Sequence, residues 1–374
     1  MRSKLLPAEQ QILTEVDQNR RRFLGFSTMA IVAAHLGLTG CANAQSNKSA
    51  VRLSSEGSMP SLAGATEWLN SAPLNRADLR GKVVLINFWT FSCINSLRQL
   101  PYLRAWAAKY KAQGLVVVGV QAPEFEFEKN LDDVRWARKS MKLDYPIAID
   151  NDHAIWHAFN NNAWPALYFV DAAGCIRHHQ LGEGNYDRAE LVIQQLLAEI
   201  GNSNVASGFA SVDARGAEAP ADWNSLRSPE TYVGYERAES FASPGGAATN
   251  KSHTYALPAH LKLNQWALSG DWTIHGQGAV LNKMNGGISY RFHARDLHLV
   301  MGPARREASV RFRVLIDQQP PLAAHGGDVD PQGNGTIVEQ RLYQLIRQPE
   351  PIADRQFDIE LLDAGAEVFV FTFG

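Results

Sequence analysis

The stretch FWTFSCINS, residues 88–96, holds the residues best suited to covalent chemistry. Cys93 follows an apolar run that reads as a strand and precedes a segment that reads as a helix. A thiol at a helix N-terminus faces unpaired N–H groups and the positive end of the helix dipole, which favours the thiolate. Thiolates attack disulfides, and in the spacing C-x-x-C a second thiol resolves the mixed disulfide that results. Here the fourth position is Ser96, whose hydroxyl cannot form a disulfide. Cys93 would still attack, but release would need an outside thiol or the substrate's own second cysteine.

The elements that must position this thiol read as α/β. GKVVLINFW (81–89) is the near-continuous apolar run of a strand buried on both faces. SLRQLPYLRAWAAKYKAQG places Leu97, Leu100, Leu103, Trp106 and Tyr110 at helical spacing, and Gly114 stops it. LVVVGVQAP is a second buried strand, and EFEKNLDDVRWARKSMKL reads as one amphipathic helix with Phe127, Leu131, Val134 and Ala137 on a face. YPIAID is a short strand, and DHAIWHAFN a short helix with Asp152 as candidate N-cap. ALYFVDAAGCIRHHQLGEG is a hairpin turning at 172–174, and DRAELVIQQLLAEIG is a closing helix. This order gives a mixed sheet with helices on both faces, assigned to residues 61–200. Residues 201–222, rich in Gly, Ala and Ser, read as a linker. Residues 223–374 carry short alternating strands between Gly, Asp, Asn and Pro turns, the pattern of an all-β sandwich or jelly roll.

The first 45 residues have a different character. NRRRFLGFSTMAIVAAHLGLTGCANAQ runs from arginines through a moderate apolar stretch to small residues, the layout of an export signal. RRRFLGF resembles the twin-arginine type. Two endings compete: ANA before Gln45 suits general cleavage, and LTGC ending at Cys41 resembles a lipobox, the reading preferred here. Residues 46–60 read as a polar tether. The mature protein is then expected in the periplasm or cell envelope, anchored through a lipid at Cys41 on the preferred reading, where disulfides persist. The 374 residues suit two domains, and a net charge of −2 gives no case for nucleic acid. Three cysteines make no disulfide framework, no pair has zinc-ligand spacing, and neither cofactor nor metal is expected.

Several features together resemble the thioredoxin-like fold. They are Cys93 between strand and helix, Pro101 eight residues on, Pro165 before the hairpin strand, and the closing hairpin and helix. The inserted helix, strand and helix at about residues 125–159 are similar to the TlpA and peroxiredoxin-like branch. Asn87 stands six residues before Cys93, where thioredoxin carries an acidic residue. NFWTFSCINSLRQLPYLRAW resembles the thioredoxin segment of DipZ-type proteins, which read NFWTYSCINCLR. SPETYVGYERAESF, LNQWALSGDWTI, YRFHARDLHLVMGP, RLYQLIRQ and EVFVFTFG resemble the β domain that follows it in that group. The resemblance implies Cys93 as attacking thiol, Ser96 at the resolving position and Pro165 as a cis-proline by the thiol. It also implies a hairpin that runs away from the active-site end. At roughly 3.3 Å per residue Cys175 would then lie on the order of 20 Å from Cys93. That is too far for a disulfide, which needs Cα atoms within roughly 7 Å.

Three functions fit. The first is monothiol or isomerase-like disulfide exchange, with protein or small-molecule thiols and disulfides as substrates and an external thiol donor. The second is a thiol peroxidase: Thr90-Phe91-Ser92-Cys93 matches T-x-x-C of peroxiredoxins, although Ile86 stands where their pattern has proline. The third is a non-catalytic binding or scaffold protein. Trp89, Thr90 and Trp164 are candidate binding residues beside the thiol. In the β domain Trp266, Trp272, Tyr290 and Tyr343 read first as sandwich core; if exposed, they would form a platform for a carbohydrate ligand. Asp328 and Asp330 lie in a Gly-rich loop that reads as a plain loop more readily than a Ca²⁺ site.

Overall fold

The computed structural model describes residues 53–202 and 205–374. The export signal and Cys41 lie outside the described residues. The described chain divides into two compact units. The first takes the chain up to Trp89 together with Trp106–Ala122 and Tyr145–Ala210; the second takes Thr90–Ala105, Pro123–Asp144 and Ser211–Gly374.

The first unit is built on a six-stranded sheet. Its strands are β1 (Glu67–Leu69), β2 (Val83–Trp89), β3 (Leu115–Gln121), β4 (Ile147–Ile149), β5 (Ala166–Val170) and β6 (Ile176–Leu181) in the order β1-β4-β3-β2-β5-β6. β2, β3 and β4 run parallel, and β1, β5 and β6 pair antiparallel to their neighbours. Every residue of β2 is buried, because alternate side chains meet apolar layers on both faces. Val84, Ile86 and Phe88 join one core with Ile155, Trp156, Phe159 and Tyr168. Phe88 meets Trp156, Phe159 and Tyr168 edge-on at ring separations of 5.3–5.7 Å, the arrangement that aromatic quadrupoles favour.

Three local expectations need correction here. Residues 56–59 are not a bare tether: Glu56 N–H donates to Ile176 O, Ser58 bridges to Cys175, and Met59 is buried in the core. The helix Ala154–Ala158 is not capped by Asp152; the buried Asp150 carboxylate accepts the N–H groups of Ile155 and Trp156 at 2.9 and 2.7 Å. The segment 126–143, read as one helix, is two pieces. A 3₁₀ turn, Glu126–Lys129, stops at Asn130, whose side chain caps the helix Leu131–Ser140 by accepting from Asp132 and Asp133.

The second unit contains the C-terminal β sandwich. Its strands are β7 (Thr231–Tyr232), β8 (Ser252–Tyr255), β9 (Trp266–Ile274), β10 (Ala279–Leu281), β11 (Gly286–Phe292), β12 (Asp296–Pro303), β13 (Val310–Ile316), β14 (Asn334–Ile337), β15 (Arg341–Arg347), β16 (Arg355–Leu361) and β17 (Ala366–Phe373). One layer runs β14-β13-β16-β11-β9 and the other β9-β10-β17-β12-β15. β9 serves both because it bends at Gly270, which has φ +89°. A Cβ there would also lie 2.8 Å from the Gly286 Cα, so glycine is required twice over. β13 shows the expected alternation, with Val310, Phe312, Val314 and Ile316 buried and Arg311 and Arg313 exposed.

Trp266, Trp272, Tyr290 and Tyr343 are each 0% exposed within this core. They are core, the reading preferred for them, and form no surface platform, so the possible carbohydrate ligand is corrected. Asp328 binds Arg341 at 2.7 Å and accepts the Gln344 N–H at 2.7 Å. Asp330 accepts from the backbone and side chain of Asn334. Both carboxylates therefore shape the loop.

Candidate active site

β2 ends at Trp89, and after four intervening residues the 17-residue helix Ile94–Tyr110 begins, with Pro101 inside it. The carbonyl of Cys93 accepts the N–H of Leu97 at 3.0 Å, the first bond of that helix. Cys93 thus stands where the helix's unpaired N–H groups converge, a setting that stabilises a thiolate. Its residue surface is 6% exposed. Cys93 and Cys175 are both thiols, in no disulfide.

The turn before Cys93 is held from two sides. The Ser96 hydroxyl, 1% exposed, accepts the Thr90 N–H at 3.4 Å. The Ser92 hydroxyl donates to the Glu128 carboxyl at 2.5 Å. Glu128 in turn accepts the N–H groups of Glu124 and Phe125 at 2.5 and 3.0 Å, which fixes residues 124–128 in a turn. Phe91 packs edge-on against Phe127 at 5.9 Å, and Phe127 and Phe125 both pack on Phe369 of β17. Glu124 accepts from Tyr232 Oη at 2.7 Å and pairs with Arg237 at 2.9 Å. In the second unit, then, the thiol-bearing turn, residues 124–128 and the β sandwich form one connected set.

Burial pushes the Glu128 carboxyl upward from its ordinary pKa; the Ser92 and Thr90 hydroxyls oppose this, and the neighbouring Glu124 carboxylate reinforces it. No sequence reading picked out Glu128. A carboxylate three residues after the start of a turn is the signal that would have found it. Asn87, at the position where thioredoxin has an acid, is buried in β2 and donates to Phe88 O at 3.3 Å.

The remaining candidates fall as follows. Trp89 is 0% exposed and packs by Gly119, where a Cβ would lie 3.0 Å from its Nε1, so its place is the core. Thr90 is fully buried. Trp164 is half-buried; its Nε1 donates to Ala122 O at 2.9 Å and its ring lies 4.2 Å from that of Trp156. The Trp164–Pro165 peptide bond is cis, and Pro165 is buried. Among the described residues no cluster of His, Cys, Asp and Glu could hold a metal, and no helix is long and apolar enough to cross a membrane.

A thiol at the mouth of the helix that follows a central strand in the chain, with a mixed sheet closed by a hairpin and helix, defines the thioredoxin-like class. The chain belongs to that family. A family model described as AhpC/TSA matches residues 60–179, and one described as a thioredoxin like C-terminal domain matches residues 228–374. The thiol-disulfide oxidoreductase YkuV of Bacillus subtilis is 33% identical over 141 residues, covering 38% of this chain and 95% of YkuV. Protein DipZ of Mycobacterium bovis is 33% identical over 359 residues, covering 93% of this chain and 48% of DipZ. The chain thus spans about half the length of DipZ. A solution structure of a thioredoxin-like protein in the oxidized form is 33% identical, covers 38% of this chain and 96% of its own, and superposes with a TM-score of 0.36.

Proposed function

We propose that the protein is an exported enzyme that performs disulfide exchange through Cys93 as a single nucleophile. The observation that carries this reading is Cys93 at the first turn of its helix with the buried hydroxyl of Ser96 at the resolving position. The Cys93 thiolate attacks one sulfur of a substrate disulfide. A bond forms between Cys93 and that sulfur, the substrate S–S bond breaks, and the departing thiolate takes a proton from solvent. A second thiolate, from the substrate or a small-molecule donor, then attacks the mixed disulfide. Cys93 leaves as thiolate and a new disulfide forms between the other two sulfurs. No net oxidation of the protein occurs, which makes the reaction an isomerisation or a thiol transfer. Export rests on the arginines and apolar run of residues 19–45.

The burial of Cys93 favours a second reading, a binding protein in which the thiol is not used. Incubation of the mature protein with a glutathionylated peptide separates the two. Exchange expects a mixed disulfide at Cys93 by mass spectrometry, lost in Cys93→Ala, kept in Cys175→Ala, and released by reduced glutathione. A Cys93 that reacts only as fast as the protein unfolds would leave the binding reading in its place.

A further inference from the structure

Glu128 is a fully buried titratable group bonded to the residue beside the nucleophile, and the exchange reaction as written makes no use of it. One carboxyl oxygen takes the Ser92 hydroxyl at 2.5 Å; the other takes the Glu124 and Phe125 N–H groups. Ser92 is itself 1% exposed and directly precedes Cys93. Glu124 lies on the same segment, with its charge met by Arg237 at 2.9 Å and Tyr232 at 2.7 Å. Glu126 and Lys129 pair with each other at the surface at 2.7 Å. From the strand-to-helix turn come the hydroxyls of Thr90 and Ser92, and Ser92 directly precedes Cys93 in the chain.

We propose that Glu128 is a positioning residue for Cys93: acting through Ser92, its carboxyl holds the turn that carries the thiol, and its charge sets how readily that thiol ionises. A carboxylate buried behind the turn disfavours a second negative charge on Cys93, and the neutral acid does not. As pH rises through the titration of Glu128, the thiol becomes harder to ionise. The two titrations are therefore coupled, and the thiolate appears over a wider pH span than one independent group would give. The inference rests on Cys93 being the nucleophile.

The test is the pH dependence of iodoacetamide alkylation of Cys93 in the mature protein carrying Cys175→Ala, read by intact mass. The parent profile is expected to be broader than a single titration. Glu128→Gln keeps an oxygen for Ser92 and removes the charge; its profile should collapse to one step, with the rate near pH 6 raised on the order of threefold or more. Ser92→Ala keeps the charge and removes a hydrogen bond to the carboxylate. Its lower step should move to higher pH, which a merely structural role would not produce. A Glu128→Gln profile that superimposes on the parent overturns the proposal. If that variant does not fold, an unmoved lower step in Ser92→Ala overturns it instead. A reactive, two-step Cys93 without glutathione exchange would overturn the exchange function and leave this inference standing; an unreactive Cys93 overturns both.

Discussion

The backbone N–H of Thr90 donates to the hydroxyl of Ser96 at 3.4 Å across the turn that carries Cys93. Three residues after Cys93, where the C-x-x-C spacing has its second thiol, this chain has a buried oxygen that accepts from the residue just past β2. A sulfur of similar size would accept this bond weakly but would stand one helical turn from Cys93, in the spacing that dithiol enzymes use.

Ser96→Cys is expected to convert the site. The variant should form an internal disulfide with Cys93, seen as the loss of a hydrogen pair by intact mass after mild oxidation. Once reduced, it should release substrates that the parent holds as mixed disulfides, without added glutathione. Persistence of the mixed disulfide in the variant would show that the helix geometry, and not the missing thiol, limits release.

Glu190 anchors the first unit. Its carboxylate accepts from Trp106 Nε1 at 2.9 Å, Tyr110 Oη at 2.6 Å, Lys109 Nζ at 2.8 Å and the N–H of Ala210 at 2.8 Å. Burial alone would raise its pKa, but these donors hold it below the ordinary carboxylate value. Glu190→Ala leaves a buried indole N–H, a phenol and an ammonium without their shared acceptor. The expected loss is about 3 kcal/mol in urea unfolding. Because the folded carboxyl sits below its unfolded value, its contribution is complete above that unfolded value and fades as pH falls through the folded one. A loss under about 1 kcal/mol would mean that water replaces the carboxylate.

His298 makes acid stability measurable. It is 1% exposed, with Nδ1 donating to Thr372 O at 3.3 Å. Burial first, and the nearby Arg98 guanidinium second, push its pKa down from 6.5 to about 3, against the pull of Asp296. Below pH 6.5 the unfolded chain takes up a proton that the folded chain refuses. Stability is therefore lost as pH falls from 6.5 towards 3, by up to about 1.4 kcal/mol per pH unit from this group. His298→Gln removes that titration, so its stability should fall less steeply than the parent's over the same window. Parallel slopes in chemical denaturation would show that His298 is protonated in the fold.

The amino-acid sequence by itself determined most of the elements and offered the candidate nucleophile. The apolar run 83–89, the helical spacing of Leu97, Leu100, Leu103, Trp106 and Tyr110, and the alternation of 310–316 are local periodicities, and each became the strand or helix that its period dictates. Cys93 and Ser96 were legible because their chemistry depends on identity and spacing along one short stretch. Other features depended on partners far away in sequence and were decided only by tertiary structure. Glu128 reads as one more polar residue on a helix until Ser92, 36 residues away, is seen to donate to it. Asp150 caps a helix that Asp152 seemed placed to cap, because the chain enters that helix through His153 at φ +56°. Trp266, Trp272, Tyr290 and Tyr343 could have been a platform or a core; only the closing of two sheet layers around them made them core. Burial and long-range hydrogen bonding are properties of the folded surroundings, so no window of sequence contains them.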